Sequence, residues 1–360
     1  MRNEITLAYD DIQLVPEFSN IKSRRDVSLR TLVSRRYGII IPIVASPMDT
    51  ICDLEMAWKL YKLGGVGVIH RFMTISDQIT MVRELYTRIY KTKDGERELE
   101  DWGFMYDDWH SEIKQPPIMA AIGVRTSDRK RAQHLVEAGA NILVIDVAHG
   151  HHQKVIDMVR WCKLNLKDTV DIIAGNIATA DAAEELEQAG VDGLRINVGN
   201  GALCNTRIQT GFGVPSVTSL INISQVATVP IIADGGIRNS GDISKALALG
   251  ADCVMVGSLL AGTDESPGLV IETKQGLYKR YRGSASLEAK QDNGGIVSNV
   301  EGESAMIPYK GGVKFIINGL VDGIRSALSY GGARNLAEFN PEYVQITNAG
   351  IVEAKPHGLI

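Results

Sequence analysis

The sequence predicts an α/β protein folded as one (β/α)8 TIM barrel over residues 1–360, and three observations carry that expectation. Eight short runs rich in Val, Ile and Ala recur along the chain, segments with the spacing of amphipathic helices separate them, and no GxGxxG opens a helix after the first run. Continuous apolar runs are what strands covered on both faces look like in a parallel sheet. An open doubly wound sheet usually has fewer strands and carries a glycine fingerprint near its start, so the barrel is preferred.

In chain order the expected strands are "GIIIPIVAS" (38–46), "GVGVIH" (65–70), "PIMAAIGV" (117–124) and "NILVIDV" (141–147). "DIIAGNI" (171–177), "GLRINV" (193–198), "PIIADGG" (230–236) and "CVMVGS" (253–258) complete the eight. Between them, segments such as "DAAEELEQAG" and "GDISKALALG" read as helices that stop at glycine. Two interruptions stand out. A short acidic insert at about 92–116 separates the second and third strands and is too small to be a domain. A stretch rich in Gly, Ser and Asn at about 283–312 lies between the eighth strand and the last helix, "VKFIINGLVDGIRSALSYGG", and reads as a mobile flap.

The bulk numbers narrow the function. With 44% apolar and 22% charged residues the balance is that of an ordinary globular protein. A net charge of −5 without a basic run argues against a nucleic-acid or anionic-membrane partner. No apolar run is long enough for a membrane span, and "MRNEITLAYDD" lacks a signal-peptide core. Cys52, Cys162, Cys204 and Cys253 lie far apart without CxxC or Cys/His spacing, which fits a reduced, cytoplasmic compartment and no structural zinc.

In a barrel the chemistry gathers at the C-terminal strand ends. There the sequence places "SPMDT" (46–50), "HRF" (70–72), "DVAHGHH" (146–152), "GN" (175–176), "GNGALCNTR" (199–207), "DGG" (234–236) and "GS" (257–258). Turn chemistry explains any one of these, but seven together less well. The pairing of "DGG" with "GS" after the seventh and eighth strands is the pattern of a phosphate site built from backbone N–H groups, with Ser258 adding a hydroxyl. Asp234 suits a ribose diol, because an ionised carboxylate accepts from two hydroxyls. Cys52, Cys162 and Cys253 read as small buried hydrophobes. Cys204 stands apart in a glycine-rich loop at the catalytic face, where loop N–H groups and Arg207 favour a thiolate and Thr206 is placed to relay a proton. "HGHH" shows no converging carboxylate or thiolate, so it reads as a ligand-orienting His149 rather than a metal site.

With these residues in view, the chain resembles the IMP dehydrogenase / GMP reductase family over nearly its whole length. "GNGALCNTRIQTGFG" is similar to that family's cysteine loop, GxGPGSxCxTRxxxGxG, and "IIADGGIRNSGDISKALALGADCVMVGSLLAGTDESPG" to its phosphate-binding stretch. The resemblance implies a purine nucleoside monophosphate whose C2 is attacked by Cys204, with hydride exchanged between C2 and a nicotinamide. It implies that Ser46 and Met48 lie near the base and that Asp234 holds the ribose. Gly235, Gly236, Gly257, Ser258, Tyr281, Gly283 and Ser284 complete the implied substrate site. It puts Arg71, Asp146, His149 and Asn176 on the cofactor side, and the carbonyls of Gly199, Gly201 and Cys204 on a monovalent cation such as K+. It also implies a homotetramer.

Within that family, "YDDIQLVP", "HRF", "TGFG", "YRGSAS" and "NVEG" resemble the bacterial, Gram-positive reductase branch. That branch converts GMP to IMP and ammonia with NADPH, its proton chemistry resting on a pair that would here be Thr206 and Glu301. The dehydrogenase branch, which oxidises IMP to XMP with NAD, usually carries an Arg-Tyr pair in the flap and a regulatory CBS pair after the second strand. "LEAKQDNGGIVSNVEG" has no Arg-Tyr, and only the acidic insert occupies the CBS position. The tail "ITNAGIVEAKPHG" resembles the dehydrogenase instead, which keeps a dehydrogenase without CBS domains as the alternative. Asn200, Ala202 and Asn205 depart from the loop pattern, and Ala202 removes a phosphate-binding serine. A nucleotide-binding paralogue without turnover is therefore a second alternative, against which Cys204, Thr206 and Glu301 stand together. The sequence does not separate NADPH from NADH.

Overall fold

A computed structural model of the chain describes residues 5–91, 115–292 and 300–353. The acidic insert, save residues 115–116, and the middle of the expected flap, 293–299, lie outside the described residues. Eight parallel strands close into a barrel: β1 Ile43–Ala45, β2 Val66–Ile69, β3 Met119–Ile122, β4 Ile142–Asp146, β5 Asp171–Ile177, β6 Gly193–Ile196, β7 Ile231–Asp234 and β8 Cys253–Val256. Each strand pairs with its sequence neighbours, and β8 pairs with β1 to close the ring. Every expected strand is present, and the fold is a (β/α)8 TIM barrel, with no CBS domain among the described residues.

The strands earn their places by two-sided burial. Val44, Val68, Met119, Val144, Ile173, Ile232 and Met255 fill the interior, while Ile43, Ile69, Leu143, Ile172 and Val254 pack outward under the helices. The helices begin and end on local chemistry. Asp53 accepts from the Glu55 N–H to cap Leu54–Lys62, and Asn239 accepts from the Asp242 N–H to cap Ser240–Ala248. Thr126–Ala138 and Ala180–Ala189 stop at Gly139 and Gly190, whose φ values of 116° and 104° suit glycine.

One expected strand divides. "GIIIPIVAS" is broken at Pro42, which has no N–H to continue a ladder. Tyr37–Ile39 instead forms a hairpin with Thr31–Ser34. Its Val33, Tyr37 and Ile39 join the interior residues and plug the barrel floor. The plug is clamped by Asp171, fully buried, which accepts from Ser34 Oγ (2.7 Å), the Arg36 N–H (3.0 Å) and Arg36 Nε (2.5 Å).

Beyond β8 the chain builds a three-stranded antiparallel sheet from Ile271–Thr273, Gly276–Arg282 and Ser304–Pro308. The stretch read from sequence as a flap is thus anchored at both described ends. The long helix Val313–Tyr330, expected as the last, returns to the barrel wall and is followed by a short one at Asn348–Glu353, while Ile12–Leu14 pairs with Tyr343–Gln345 near the two ends of the described chain. Among the described residues no helix is long and apolar enough to cross a membrane.

Candidate active site

The cysteine loop leaves β6 through Asn197, whose φ of 89° is the one positive value at a non-glycine among the described residues. Gly199 follows at φ 83°, where a Cβ would lie 2.7 Å from Arg207 Cγ. Asn200 pins the loop to the wall by donating to Ser216 Oγ (2.7 Å), and Arg207 donates to Asn200 Oδ1 and to the Val214 carbonyl. Arg207 is therefore committed to the loop base and not to the thiol it was expected to flank. What the thiol meets is Thr206: Cys204 Sγ lies 3.1 Å from Thr206 Oγ1, which donates to Glu301 Oε2 at 2.8 Å.

Glu301 reaches Thr206 because the far segment zips onto the loop. The Asn205 N–H donates to the Glu301 carbonyl (2.8 Å), the Glu303 N–H to Leu203 O (3.0 Å), and Cys204 bridges Gly302. Ser286 crosses the same glycine, where a Cβ would stand 3.0 Å from its amide nitrogen. Thiol, hydroxyl and carboxylate, 97 residues apart in sequence at their extremes, thus form one hydrogen-bonded line.

Inside the mouth sits a residue that strand patterning passed over. Arg195, on β6, is 6% exposed and donates to Asp146 Oδ1 (2.5 Å) and, through Nε, to Asp234 Oδ2 (3.0 Å). Asn176 adds its amide to the same Asp234 oxygen at 2.8 Å and to the Asn197 carbonyl at 2.9 Å. Arg71 completes the row through the Asp146 carbonyl (3.1 Å) and carboxylate (3.6 Å). A lone charge within the apolar run "GLRINV" was the available signal, since an unpaired guanidinium would not be buried there.

The expected phosphate end is assembled from close backbone approaches. Gly235 and Gly236 hold φ values of 86° and 80°, and a Cβ on Gly235 would lie 3.0 Å from the backbone of Asn200 and Gly201. Gly257 lies where a Cβ would touch Met48 Sδ and Tyr281 Oη at 3.4 Å each, with Ser46 behind. Burial, and then Asp234, push the Tyr281 phenol up to about 12, which keeps it a neutral donor. The Ser258 carbonyl is held by Lys310 Nζ at 2.8 Å.

The thiol line and the Arg195 cluster open on one cavity of about 560 Å³, whose lining does not include Gly235, Gly236, Gly257 or Ser258. Ser46, Met48, Asp234, Tyr281, Gly283, Ser284, Cys204, Thr206 and Glu301 line it, as do Asp146, Asn176 and Arg71. Arg125, Ser127 and Arg131, which carry no sequence signal of a site, line it as well. His149 is exposed after β4 and is not among the lining residues. Of the three carbonyls named for a monovalent cation, that of Gly201 accepts the Cys204 N–H at 3.0 Å. No group of three or more His, Cys, Asp or Glu side chains converges as a metal site among the described residues. The other cysteines are structural: burial drives Cys52 and Cys253 well above the usual thiol range and Cys162 up to about 12.

Comparison with known proteins places this geometry in context. Residues 6–357 match the family model described as the IMP dehydrogenase / GMP reductase domain. The chain is 34% identical to an inosine-5'-monophosphate dehydrogenase of Nitrosopumilus maritimus, covering 98% of each, and 33% identical to a GMP reductase of Leishmania donovani, covering 98% of this chain and 97% of the relative. Its fold superposes with a TM-score of 0.88 on a crystal structure of a GMP reductase from Trypanosoma brucei in complex with guanosine 5'-monophosphate. That pair is 32% identical, with 100% of this chain and 99% of the other covered.

Proposed function

The chain belongs to the IMP dehydrogenase / GMP reductase family of nicotinamide-dependent oxidoreductases, and within it we propose that this protein converts GMP to IMP and ammonia with NADPH. The observation that carries the reading is the line from Cys204 through Thr206 to Glu301. A thiol donating to a hydroxyl, which donates to a carboxylate, is oriented to draw a proton off sulfur and hold it within reach of a leaving amine.

In this reading the ribose hydroxyls meet Asp234 and the phosphate meets the turns at Gly235–Gly236 and Gly257–Ser258. Cys204 passes its proton through Thr206 to Glu301, and the Sγ–C2 bond forms. The C2–N bond then breaks, and the amine leaves as ammonia with the proton returned from Glu301 by way of Thr206. When bound, reduced nicotinamide supplies a hydride for C2. Cleavage of the Sγ–C2 bond frees IMP and restores the thiolate. Asp146, Arg71, Arg125 and Arg131 line the same cavity as the thiol and would offer such a cofactor its polar partners. Arg125 there offers a guanidinium for the extra phosphate that separates NADPH from NADH, while Arg71 is held by Asp146 and Arg131 by Gln78 and Asp128.

Dehydrogenation would instead need a base to activate water beside C2. The chain from 283 to 300 contains neither Arg nor Tyr, and Arg282 is locked on Asp49 at 2.6 Å. The same reading makes the working particle a homotetramer, with the cysteine-loop carbonyls holding a monovalent cation. The deciding experiment incubates the protein with GMP and NADPH, and separately with IMP and NAD, and identifies products by mass. IMP and ammonia from the first mixture are expected, and robust XMP from the second would establish the dehydrogenase in its place.

A further inference from the structure

We propose that Arg195 is a positioning residue that couples the nucleotide and cofactor halves of the site, so that occupancy of one changes the affinity of the other. The inference rests on the reading above of Asp234 as the ribose group and Asp146 as a cofactor-side group.

The geometry is that of a shared clasp. Asp146 ends β4 and Asp234 ends β7, three strands apart round the ring, and a single guanidinium lies between them with donors 2.5 and 3.0 Å from their oxygens. A guanidinium is planar with its donors in a fixed fork, so it cannot follow one carboxylate without changing its angle to the other. The backbone leaves it little room to translate. A Cβ on Gly175 would lie 2.2 Å from the Arg195 carbonyl oxygen and 2.8 Å from its Cβ, which shows how closely β5 is pressed on that residue.

Each carboxylate has another partner of its own: Asn176, which donates to Asp234 at 2.8 Å, and the Arg71 guanidinium, an ion-pair contact 3.6 Å from Asp146. Either can therefore loosen its hold on Arg195 without being left bare. A ribose that takes up acceptor capacity on Asp234 shifts the fork toward Asp146, and a ligand drawing on Asp146 does the reverse. A charged group shared in this way is a physical link between two sites, and its effect on the two affinities must be equal.

Calorimetric titration of GMP with and without saturating NADP+, the oxidised form that cannot reduce it, tests the idea without turnover. In the wild-type protein NADP+ should change the Kd for GMP by roughly fivefold or more, and GMP should change the Kd for NADP+ by the same factor. Arg195→Lys keeps the charge but loses the fork, and should bring that factor to within about twofold of unity. Asp146→Asn, isosteric and at a strand end, should do the same and serves if the lysine variant does not fold. A residue that merely held the barrel together would lower both affinities and leave the ratio untouched, and that result overturns the proposal. So does a wild-type ratio near unity with both ligands binding. If GMP fails to bind the wild-type protein at all, the underlying functional reading falls and takes this one with it.

Discussion

Exchanging Glu301 for glutamine removes one exchangeable proton site and little else. The backbone that holds the residue is untouched, because Asn205 still donates to its carbonyl at 2.8 Å and Glu303 to Leu203 at 3.0 Å. The Thr206 hydroxyl, 2.8 Å from Oε2, still finds an amide oxygen in the same place. Weakening that bond from charge-assisted to neutral is worth on the order of 1 kcal/mol. Losing the proton donor costs more: general acid–base catalysis contributes roughly a hundred- to ten-thousand-fold, or about 3–5 kcal/mol of barrier. Ammonia release from GMP should therefore fall by about that factor. Hydride transfer between IMP and NADP+ asks for no amine protonation and should fall less than about tenfold. Parallel assays of ammonia and of reduced-cofactor absorbance separate the two. A Glu301→Gln protein that keeps roughly a tenth of its deamination, or loses both activities equally, refutes the proton-relay assignment.

Other substitutions probe the same geometry. Cys204→Ala should abolish turnover while GMP still binds, and Cys162→Ala, far from the thiol line, should leave turnover alone; near-normal rates in Cys204→Ala would end the covalent scheme. Asp234→Asn should weaken GMP binding by replacing a charged acceptor with a neutral one, measured by calorimetry, and guanosine binding as tightly as GMP would displace the phosphate site from the Gly236–Ser258 turns. Arg125→Glu should raise KM for NADPH roughly tenfold more than KM for NADH, whereas equal changes would free that end of the cavity of any role in choosing the cofactor. Burial, opposed by Asp49, pushes His70 down to about 4, so the unfolded chain binds a proton there that the fold does not. Stability is then lost as pH falls from about 6.5 toward 4, by on the order of 3 kcal/mol from this group. Asp252, raised by burial to about 6, acts in the opposite sense over the same range. The test is consequently the difference between wild-type and His70→Asn urea midpoints, which should shrink at low pH; a pH-independent difference would contradict it.

The barrel was legible because its strands are buried on both faces, and two-sided burial writes itself as unbroken apolar runs. The floor hairpin was not, since Tyr37–Ile39 is apolar for a reason that periodicity cannot separate from membership of the barrel. Only Pro42 marks the change of element. At the site, residue type and position picked out Cys204, Thr206 and Asp234, and the family resemblance added Glu301. The distances that join them depend on how residues 301–303 cross the cysteine loop, a pairing with no local signature. Arg195 was hidden among strand residues, because its partners Asp146 and Asp234 are 49 and 39 residues away. Arg207 misled for the same kind of reason: nearness in sequence suggested the thiol, and Asn200 captured it.

The pairing of Ile12–Leu14 with Tyr343–Gln345 has a consequence in time. A ribosome adding roughly 5–20 residues per second needs on the order of half a minute to deliver the second strand after the first has emerged. Throughout that interval the leading strand has its backbone donors and acceptors unpaired, a template for any other extended chain nearby. A transcript cut short before Tyr343 never ends the wait. Such fragments should accumulate as aggregates even when all eight barrel strands have been made.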